Sequence, residues 1–332
     1  SIYIFLKIIF YSPKMHIKIL KLIFKNSINL VEFIKRVVRI FPPILDQLDI
    51  FHIQWAKTLL KYPELVESLE CPVLLSLRGT HINVSPLSDD KLTSSYKKYF
   101  PQINGFHAVS KSIAIEACKY GADMKKIKII NPAVTKTLLN YKSFIKKKSD
   151  YETLKIISVG RCHWIKGYTF ALDAMAILKK ENINFHYTII ASGIDRENIF
   201  YQISDLDLCD HVTFINGLSH ERTLHKIYDS DIFLLPSLGE GISNSILEAM
   251  ALGIPVFSSN CGGMEEVITD RLNGFIFPAR ESFMMAELIK QFINLDKKVV
   301  NSIILNAKNT INENYLLSKQ IDKFIQLYNY VR

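Results

Sequence analysis

Two glutamates, Glu240 and Glu248, flank the predicted start of a helix near Ser243 or Asn244. Glycines on both sides of Glu240 allow the backbone to approach a ligand closely. The amino terminus of a helix presents unpaired N–H groups and roughly half a positive charge, which together attract phosphate. The two carboxylates cannot form a hydrogen-bonded acid/base pair, but they can hold different parts of one ligand through its hydroxyl groups. The segment predicts a ligand site, with surface carboxylates around a helix cap as the alternative.

Two cations lie in a second loop of the same kind. Arg161 and Lys166 are separated by four residues, after a predicted strand and before a predicted helix. Fixed cations at the mouth of a sheet suit a diphosphate, because they neutralise charge on a departing phosphate. Solvated loop residues are the alternative for each cation taken alone. Both loops follow strands in the same half of the chain, which favours one shared ligand.

The elements that must position these loops are predicted from apolar segments that alternate with helical patterns. This alternation indicates parallel sheets covered on both faces, a doubly wound α/β fold in which ligands bind beyond the carboxyl ends of strands. The predicted strands are Asp49–Gln54, Pro72–Leu77, Gly105–Val109, Lys128–Ile130, Lys155–Val159, His186–Ala191, Val212–Phe214, Asp231–Leu235 and Pro255–Ser258. The predicted helices are Ser110–Tyr120, Gly167–Lys180, His220–Tyr228, Asn244–Ala251, Ser282–Asn294, 297–314 and 317–330, with Ser110 as an N-cap.

The length of the chain, 332 residues, predicts about two domains. Hydrophobic residues make up 48% and charged residues 22%, so each half can bury a core. Residues 136–152 are lysine-rich and polar without a clear pattern, which indicates a linker. We therefore expect one Rossmann-like domain over residues 1–135, a second over 136–317, and a final helix over 318–332.

Residues 1–48 are apolar and basic, and two interpretations stay open for them. They form a helix that lies on anionic lipid, or core helices whose lysines are solvated. Pro42-Pro43 then predicts a break in the chain. The apolar run Ile2–Phe10 is too short to span a bilayer and is followed by no cleavage site. Because the chain starts at Ser1 inside this run, we expect that the natural N-terminus is missing.

Charge and cysteine content exclude several classes of protein. The net charge of +9 is diffuse, without the basic stripe and interleaved aromatics of a nucleic-acid-binding module, so no nucleic-acid partner is expected. A phosphate-bearing ligand or an anionic membrane explains the excess equally well. Five cysteines without a C-x-x-C pair indicate neither a disulfide framework nor a zinc site, and they fit a reducing cytosol. His220 and His225 are interpreted as surface residues.

The order of motifs in the second half is similar to that of a known family. Gly160-Arg and Lys166-Gly match its diphosphate-binding loop, and Glu240-x7-Glu248 matches its most diagnostic block. Further matches follow in the family's order at Gly253-Ile-Pro-Val, Gly262-Gly-Met-Glu-Glu-Val and Asn273-Gly-Phe. Residues 155–280 thus resemble the retaining glycosyltransferases of the GT-B fold, family 4 (glycosyl transferases group 1). A weaker resemblance covers His52-Ile-Gln-Trp55 and Ala108-Val-Ser-Lys-Ser112.

The resemblance implies two Rossmann-like domains facing across a cleft, with the final helix crossing back onto the first. It implies a UDP-, GDP- or ADP-sugar donor, a glycan or lipid-linked acceptor, no cofactor and no metal, and retention of the anomeric configuration. Arg161 and Lys166 would hold the donor diphosphate, Glu240 the sugar hydroxyls and Glu248 the ribose. Backbone of both loops would lie beside sugar and phosphate, at Gly160, Gly241, Ile242, Ser243 and Asn244. We expect a cytoplasmic protein that contacts the inner face of an anionic membrane.

The first half departs from the family at two points. Many relatives have a histidine near the reacting sugar, in a His-Gly pair, where this chain has Arg78-Gly79. Arg78 can orient the sugar or the diphosphate, but it cannot act as a base at neutral pH. His81 is its substitute or a plain loop histidine, and His52 and Trp55 are further candidates for the acceptor side. No glycine precedes Gly79, so we expect a truncated N-terminal domain without the glycine-rich acceptor loop.

Other interpretations of the chain stay open or are excluded by single features. Asp229-Ser-Asp231 is a D-x-D, which holds a divalent metal in another glycosyltransferase fold, but at a helix–strand junction it is expected to cap that junction. A dinucleotide oxidoreductase would need G-x-G-x-x-G after its first strand, and the chain has none. A nucleotide-sugar epimerase of the same fold and a truncated or degenerate paralogue that binds without turnover remain as alternatives.

Overall fold

The computed structural model describes residues 13–45, 48–140 and 152–332, which form two compact units. One unit comprises the described residues from 13 to 130 together with 322–332, and the other comprises the described residues from 131 to 321. The expected boundaries were at residues 135 and 317. The run Ile2–Phe10 and most of the expected linker, residues 141–151, lie outside the described residues.

The first unit contains a sheet of four parallel strands in the order β1-β2-β3-β4. Its helices and strands are α1 Pro13–Lys25, α2 Leu30–Leu45, β1 Phe51–Ile53, α3 Thr58–Lys61, α4 Glu64–Glu67, β2 Val73–Leu77, α5 Thr80–Asn83, α6 Ser85–Ser88, α7 Asp90–Tyr99, β3 Gly105–Ala108, α8 Lys111–Cys118 and β4 Ile127–Ile129. Every residue of β2 and β3 is buried, as expected for strands covered on both faces. Ser110 caps α8 by accepting a hydrogen bond from the Ile113 amide, as predicted.

The expected chain break at Pro42-Pro43 is wrong, because both prolines lie inside α2. A proline removes the donor for the carbonyl four residues earlier, here those of Val38 and Arg39. Both of these residues are exposed, so water can hydrate the two carbonyls. The helix is held by its other face, where Val37, Ile40 and Phe41 are buried in the core of the first unit. Of the two interpretations of this segment, the core helices are therefore present.

The second unit contains a sheet of six parallel strands in the order β10-β9-β8-β5-β6-β7. Its helices and strands are β5 Leu154–Arg161, α9 Tyr168–Lys180, β6 Phe185–Ser192, α10 Glu197–Asp205, β7 Val212–Ile215, α11 His220–Tyr228, β8 Ile232–Leu235, α12 Asn244–Leu252, β9 Val256–Ser259, β10 Phe275–Phe277, α13 Ser282–Ile293 and α14 Lys297–Asn314. This is the Rossmann strand order, and the chain reverses direction across the sheet between β5 and β8. Ligands of such sheets bind at this switch point, beyond the carboxyl ends of the two strands.

Strand β10 and helix α10 were not predicted from the sequence. Three residues are too few for β10 to show a periodic pattern, and its formation depends on packing. The Phe275 ring stacks on Phe257 of β9 at 4.5 Å between centroids, and both rings meet Phe292 of α13 edge-on. The strand is therefore fixed by a tertiary aromatic cluster.

The final helix, α15 Leu317–Val331, begins in the second unit and ends in the first. Leu327 is buried in a cluster with Leu74 and Ile130, both of the first unit. Gly105 in β3 leaves room for this helix, because a Cβ built there would lie 2.5 Å from Cγ2 of Val331. Among the helices of the described residues, none is long and apolar enough to cross a membrane.

Candidate functional site

The loops after β5, β8 and β9 are joined by hydrogen bonds at the carboxyl edge of the six-stranded sheet. The Leu238 amide donates to the Ile165 carbonyl at 2.7 Å, which ties the β8 loop to the β5 loop. The Gly263 amide donates to the Gly241 carbonyl at 2.9 Å, which ties in the loop after β9. The structure therefore brings together the two loops that the sequence singled out, at the switch point of the sheet.

Two glycines with left-handed backbone make this close approach feasible. Gly167 has φ 66° and Gly262 has φ 58°, a region that favours glycine. A Cβ at Gly167 would lie 2.0 Å from the Pro236 carbonyl oxygen, and one at Gly262 would lie 1.9 Å from the Glu240 carbonyl oxygen. No side chain fits at either position without moving the neighbouring backbone.

Lys166 and Glu240 form an ion pair at the centre of the joined loops. The Lys166 ammonium lies 2.5 Å from Oε1 of Glu240, and the Ser237 hydroxyl donates to the same oxygen at 2.8 Å. The side chains are only 14% and 12% exposed, so solvent screens the pair weakly. A Cβ at Gly160 would lie 3.2 Å from the Lys166 side chain. Glycine at this position therefore leaves room for the lysine. The sequence did not indicate Ser237.

The amino terminus of α12 faces the same edge of the sheet. Ser243 is the N-cap residue, but its side chain does not bond to an amide of the first turn. Its hydroxyl lies 2.9 Å from that of Ser245 instead. Within the described residues, the first-turn amides, which include that of Asn244, therefore have no side-chain acceptor. They can donate to an anionic ligand.

Glu248 projects from the second turn of α12 and has a partner that the sequence analysis missed. The His220 ring donates from Nε2 to Oε1 of Glu248 at 2.8 Å. His220 begins α11, after β7, so it also lies at the carboxyl edge of the sheet. The prediction that His220 is a surface residue is confirmed, because 70% of its side chain is exposed. The hydrogen bond to Glu248 was not predicted. One oxygen of Glu248 remains for a ligand hydroxyl.

Arg161 ends β5 and is exposed at this edge. None of the ion pairs between described residues includes it. Cys261 lies in the β9 loop, where burial raises the pKa of its thiol to about 12. A protonated thiol is a poor nucleophile, so the site offers charge and hydrogen bonds for a ligand rather than an activated cysteine.

Three of the four residues predicted for the acceptor side and the reacting sugar form one cluster in the first unit. The Trp55 and His81 rings meet edge-on at 4.9 Å, and the Arg78 guanidinium lies 5.7 Å from the centre of the Trp55 ring. Arg78 also donates to the Gln54 side chain at 2.8 Å. Trp55 is 50% exposed, so part of its ring is open to a ligand.

His52 belongs to a different network, which holds the final helix. The Ile130 carbonyl can only accept, so Nε2 of His107 donates to it at 2.9 Å and Nδ1 accepts from the Ser76 hydroxyl at 2.8 Å. Ser76 then accepts from Nε2 of His52 at 2.9 Å, and Tyr328 of α15 donates to Nδ1 of His52 at 3.0 Å. Burial lowers the pKa of both histidines to about 4, with Arg78 as a smaller cause. Both rings are neutral at pH 7.

The Asp229-Ser-Asp231 motif lies at the amino edge of the sheet, opposite the joined loops. Asp229 ends α11, and the Asp231 carboxylate accepts a hydrogen bond from the Lys155 amide at 2.9 Å. The expected role of this motif at the junction of helix and strand is therefore confirmed for Asp231. Among the described residues, no three His, Cys, Asp or Glu side chains are grouped so that they could hold a metal ion.

A comparison with known protein families bears on most of the second unit. The family model of glycosyl transferases group 1 matches residues 141–310, just over half of the chain. The chain belongs to the glycosyl transferases group 1 family. The matched segment contains all three joined loops, so the family assignment rests on the region that forms the site.

Curated relatives are glycosyltransferases of similar sequence. The chain is 28% identical to the amylovoran biosynthesis glycosyltransferase AmsK of Erwinia amylovora over 249 residues, which are 72% of this chain and 60% of the relative. It is 26% identical over 216 residues to the Escherichia coli UDP-Gal:alpha-D-GlcNAc-diphosphoundecaprenol alpha-1,3-galactosyltransferase, covering 63% of this chain and 52% of that protein. The group 1 chain thus spans about 60% or less of the length of these relatives.

Solved structures share the fold. A glycosyltransferase from Rickettsia africae is similar with a TM-score of 0.73 at 20% identity, covering 92% of this chain and 83% of that one. Anabaena Alr3699/HepE in complex with UDP-glucose is similar with a TM-score of 0.73 at 18% identity, covering 90% and 81%. The expected GT-B fold class is confirmed. This group 1 chain has two units that each contain a parallel sheet, and its fold is similar to that of these glycosyltransferases.

Proposed function

We propose that this chain is a retaining glycosyltransferase that moves a hexose from a nucleoside-diphosphate sugar to a glycan or lipid-linked acceptor without a metal. The observation that carries the proposal is the Lys166–Glu240 pair beside the uncapped start of α12, at the switch point of the sheet. It places a cation, a carboxylate and free amide donors within one set of joined loops. A diphosphate attached to a sugar needs such a combination.

The donor would bind with its diphosphate on the cations and its sugars on the carboxylates. Arg161 and Lys166 would neutralise the phosphate charge, and the first-turn amides of α12 would donate to the phosphate oxygens. Glu240 would accept from the hydroxyls of the transferred sugar, and Glu248 from the ribose. Because the Lys166 ammonium contacts Oε1 of Glu240, a donor diphosphate would compete with this carboxylate for the ammonium.

In the proposed reaction, the bond between the anomeric carbon and the phosphate oxygen breaks, and a bond from that carbon to the acceptor oxygen forms on the same face. The acceptor hydroxyl loses its proton to the departing diphosphate oxygen, so the reaction needs no oxidant and no further reactant. Lys166 and Arg161 would stabilise the negative charge that develops on the leaving diphosphate. Arg78 remains positively charged at neutral pH, so its role would be to orient sugar or diphosphate.

Names of the relatives support a UDP-sugar and a lipid-linked acceptor. The Anabaena protein was solved with UDP and with UDP-glucose, and the Escherichia coli relative is named for UDP-galactose and a diphosphoundecaprenol acceptor. We propose the same chemical classes for this chain, in polysaccharide assembly at the cytoplasmic face of a membrane. The half-exposed Trp55 ring, with His81 and Arg78, would contact the acceptor or the reacting sugar.

The proposal is tested by incubating the chain with UDP-, GDP- and ADP-sugars and a set of lipid-linked acceptors, in excess chelator. Transfer of the hexose with its anomeric configuration kept, as observed by NMR of the product, is the expected result. A strict need for Mn²⁺ or Mg²⁺ would contradict the metal-free part. An epimerised free nucleotide sugar would indicate an epimerase, and donor binding without hydrolysis or transfer would indicate a non-catalytic binding protein.

A further inference from the structure

The α1–α2 hairpin of the first unit exposes an apolar stripe on the side away from its core. Ile19, Ile23 and the buried residues of α2 pack inward. On the outer side Phe24 is 72% exposed and Ile28, in the turn between the helices, is 91% exposed. The stripe continues along α2 at spacings of four residues, through Leu30, Ile34 and Val38. We call these exposed residues the outer stripe.

A cationic recess adjoins the outer stripe. It has a volume of about 570 Å³, and its lining includes Lys35, Arg39 and Lys61 around the Tyr62 ring. Arg39 donates to the Tyr62 hydroxyl, and the Arg39 and Lys61 charges lie 5.8 Å and 5.6 Å from the centre of the ring. In the described part of the chain, no ion pair involves Lys35, Arg39 or Lys61. Glu32 also lines the recess and interacts electrostatically with Lys61, so the recess carries an excess of positive charge that this carboxylate offsets in part.

The hairpin is held rigidly against the rest of the first unit. Glu64 of α4 is fully buried and accepts hydrogen bonds from Asn26 at 2.8 Å and from Arg36 at 3.1 Å. Arg36 also pairs with Glu32 at 3.2 Å, and Glu32 bonds to the Ile28 amide at 2.9 Å. The stripe and the recess therefore form one preformed surface, in which Arg36 is structural and the Lys35, Arg39 and Lys61 charges line the recess.

We propose that this surface docks on a bilayer that contains anionic phospholipid, with the outer stripe in the interface and headgroup phosphate in the cationic recess. An apolar stripe flanked by lysine and arginine fits an interface in which acyl chains meet anionic headgroups. A second copy of the chain is a poorer occupant, because a two-fold contact would bring the same excess of positive charge together. The inference rests on the proposed function in one respect, which is the role of the docking. Docking would bring the chain to a membrane that holds a lipid-linked acceptor.

The test is co-sedimentation of the full chain with vesicles, without donor or acceptor. Vesicles of phosphatidylcholine alone are compared with vesicles in which part of that lipid is replaced by phosphatidylglycerol. We expect binding to the anionic vesicles only, and weaker binding in high salt because salt screens exposed charges. The variant Lys35→Gln/Arg39→Gln/Lys61→Gln is expected to lose affinity on the order of 100-fold, about fivefold for each cation. Arg36 stays unchanged so that the Glu64 anchor is kept.

Matched control variants distinguish an effect of this surface from an effect of the total charge or the total exposed apolar area of the chain. Lys180→Gln/Lys297→Gln/Lys298→Gln removes three exposed lysines of the second unit and is expected to bind as the wild type does. Ile34→Gln/Val38→Gln is expected to weaken binding at least tenfold, whereas Val299→Gln/Leu305→Gln, which changes two exposed apolar residues of α14, is not. Circular dichroism and thermal melts confirm that each variant is folded.

Several outcomes would overturn the inference. Equal binding to neutral and anionic vesicles would remove the role of the recess, as would wild-type binding by the triple recess variant. If light scattering shows a dimer that the Ile34→Gln/Val38→Gln variant converts to a monomer, with vesicle binding unchanged, the stripe contacts a second copy. A chain that binds nucleotide sugar but no vesicle contradicts only the docking surface. A chain that binds anionic vesicles but no nucleotide sugar contradicts only the proposed function.

Discussion

The Lys166 ammonium lies 2.5 Å from Oε1 of Glu240, although the two residues are 74 positions apart in the chain. One follows β5 and the other follows β8, the two strands at which the sheet changes direction. The fold thus brings together a cation suited to phosphate and a carboxylate suited to sugar hydroxyls. The two opposite charges attract each other and tie the loop after β5 to the loop after β8.

Replacing either member of this pair should reduce transfer while the fold survives. Glu240→Gln and Lys166→Met are each expected to lower the turnover rate by about 100-fold or more, because each removes a charge that acts on the departing donor. Thermal melts and single-turnover rates of both variants are the measurements. Near-normal rates in both would refute the assignment of these residues. Arg161→Gln should show a milder loss of stability than either, because none of the ion pairs between described residues includes Arg161.

Gly167→Ala should destabilise the site more than Gly217→Ala. Both glycines have left-handed backbone, at φ 66° and 71°, so alanine costs roughly 1–2 kcal/mol of strain at either position. At Gly167 the added Cβ would also lie 2.0 Å from the Pro236 carbonyl oxygen, whereas at Gly217 the nearest atom is 3.5 Å away. The melting temperature and the affinity for nucleotide should fall further for Gly167→Ala. Equal losses in the two variants would contradict the contact between the loops.

Replacement of Glu248 should weaken nucleotide binding, whereas replacement of its partner His220 should change the stability of the chain only slightly. Glu248→Gln is expected to weaken nucleotide binding about tenfold. A hydrogen bond to a charged acceptor contributes about 1.5 kcal/mol more than a hydrogen bond to a neutral acceptor. His220→Ala should change stability by under about 0.5 kcal/mol, because its ring is mostly exposed. Calorimetric titration with the nucleotide alone measures the affinity, and urea unfolding measures the stability. Unchanged affinity in Glu248→Gln would remove this carboxylate from the ribose site.

Stability should fall with acid through the His52–Ser76–His107 network. The pKa of each histidine is lowered from 6.5 to about 4 in the folded chain, mainly by burial, so the unfolded chain binds protons first as pH falls. The free energy of unfolding should therefore be unaffected by these groups above pH 6.5 and decrease between pH 6.5 and 4. Urea unfolding across this range is the measurement.

A histidine variant identifies the source of this pH dependence. His52→Gln should be less stable than the wild type at neutral pH, since it breaks the contact with Tyr328, but its stability should depend less on pH below 6.5. The carboxyl groups of Glu32 and Glu67 have pKa values lowered from 4.5, so they titrate below most of this range. A wild-type slope in His52→Gln would assign the acid sensitivity to other groups.

Much of the fold was predictable because its strands and helices carry strong local patterns. Strand β2 is apolar except for Ser76, and its observed bounds, Val73–Leu77, differ from the prediction by one residue. Ser110 caps its helix as its residue type predicts. The loops after β5 and β8 were predicted to share a ligand because both follow strands of one parallel sheet, and the structure brings them into direct hydrogen-bonding contact.

The remaining features depend on tertiary contacts, which leave no periodic trace. His220 meets Glu248 only because two helices of the second unit lie side by side. The prolines of α2 stay helical because the opposite face of that helix is buried. His52 is an acceptor-side candidate through the resemblance of His52-Ile-Gln-Trp55 to the family, and the structure adds hydrogen bonds to Ser76 and Tyr328 that the sequence did not indicate. The partners of His220 and His52 all lie more than 20 residues away in sequence.

The most direct test of the account is calorimetric titration of the chain with UDP-, GDP- and ADP-sugars in excess chelator. We predict that at least one nucleotide sugar binds and that UDP-sugars bind with the highest affinity. Lys166→Met and Glu248→Gln should each weaken that binding. Such a result would establish a metal-free donor site in the joined loops. Absence of binding by all three classes, or equal affinity in the wild type and both variants, would contradict it.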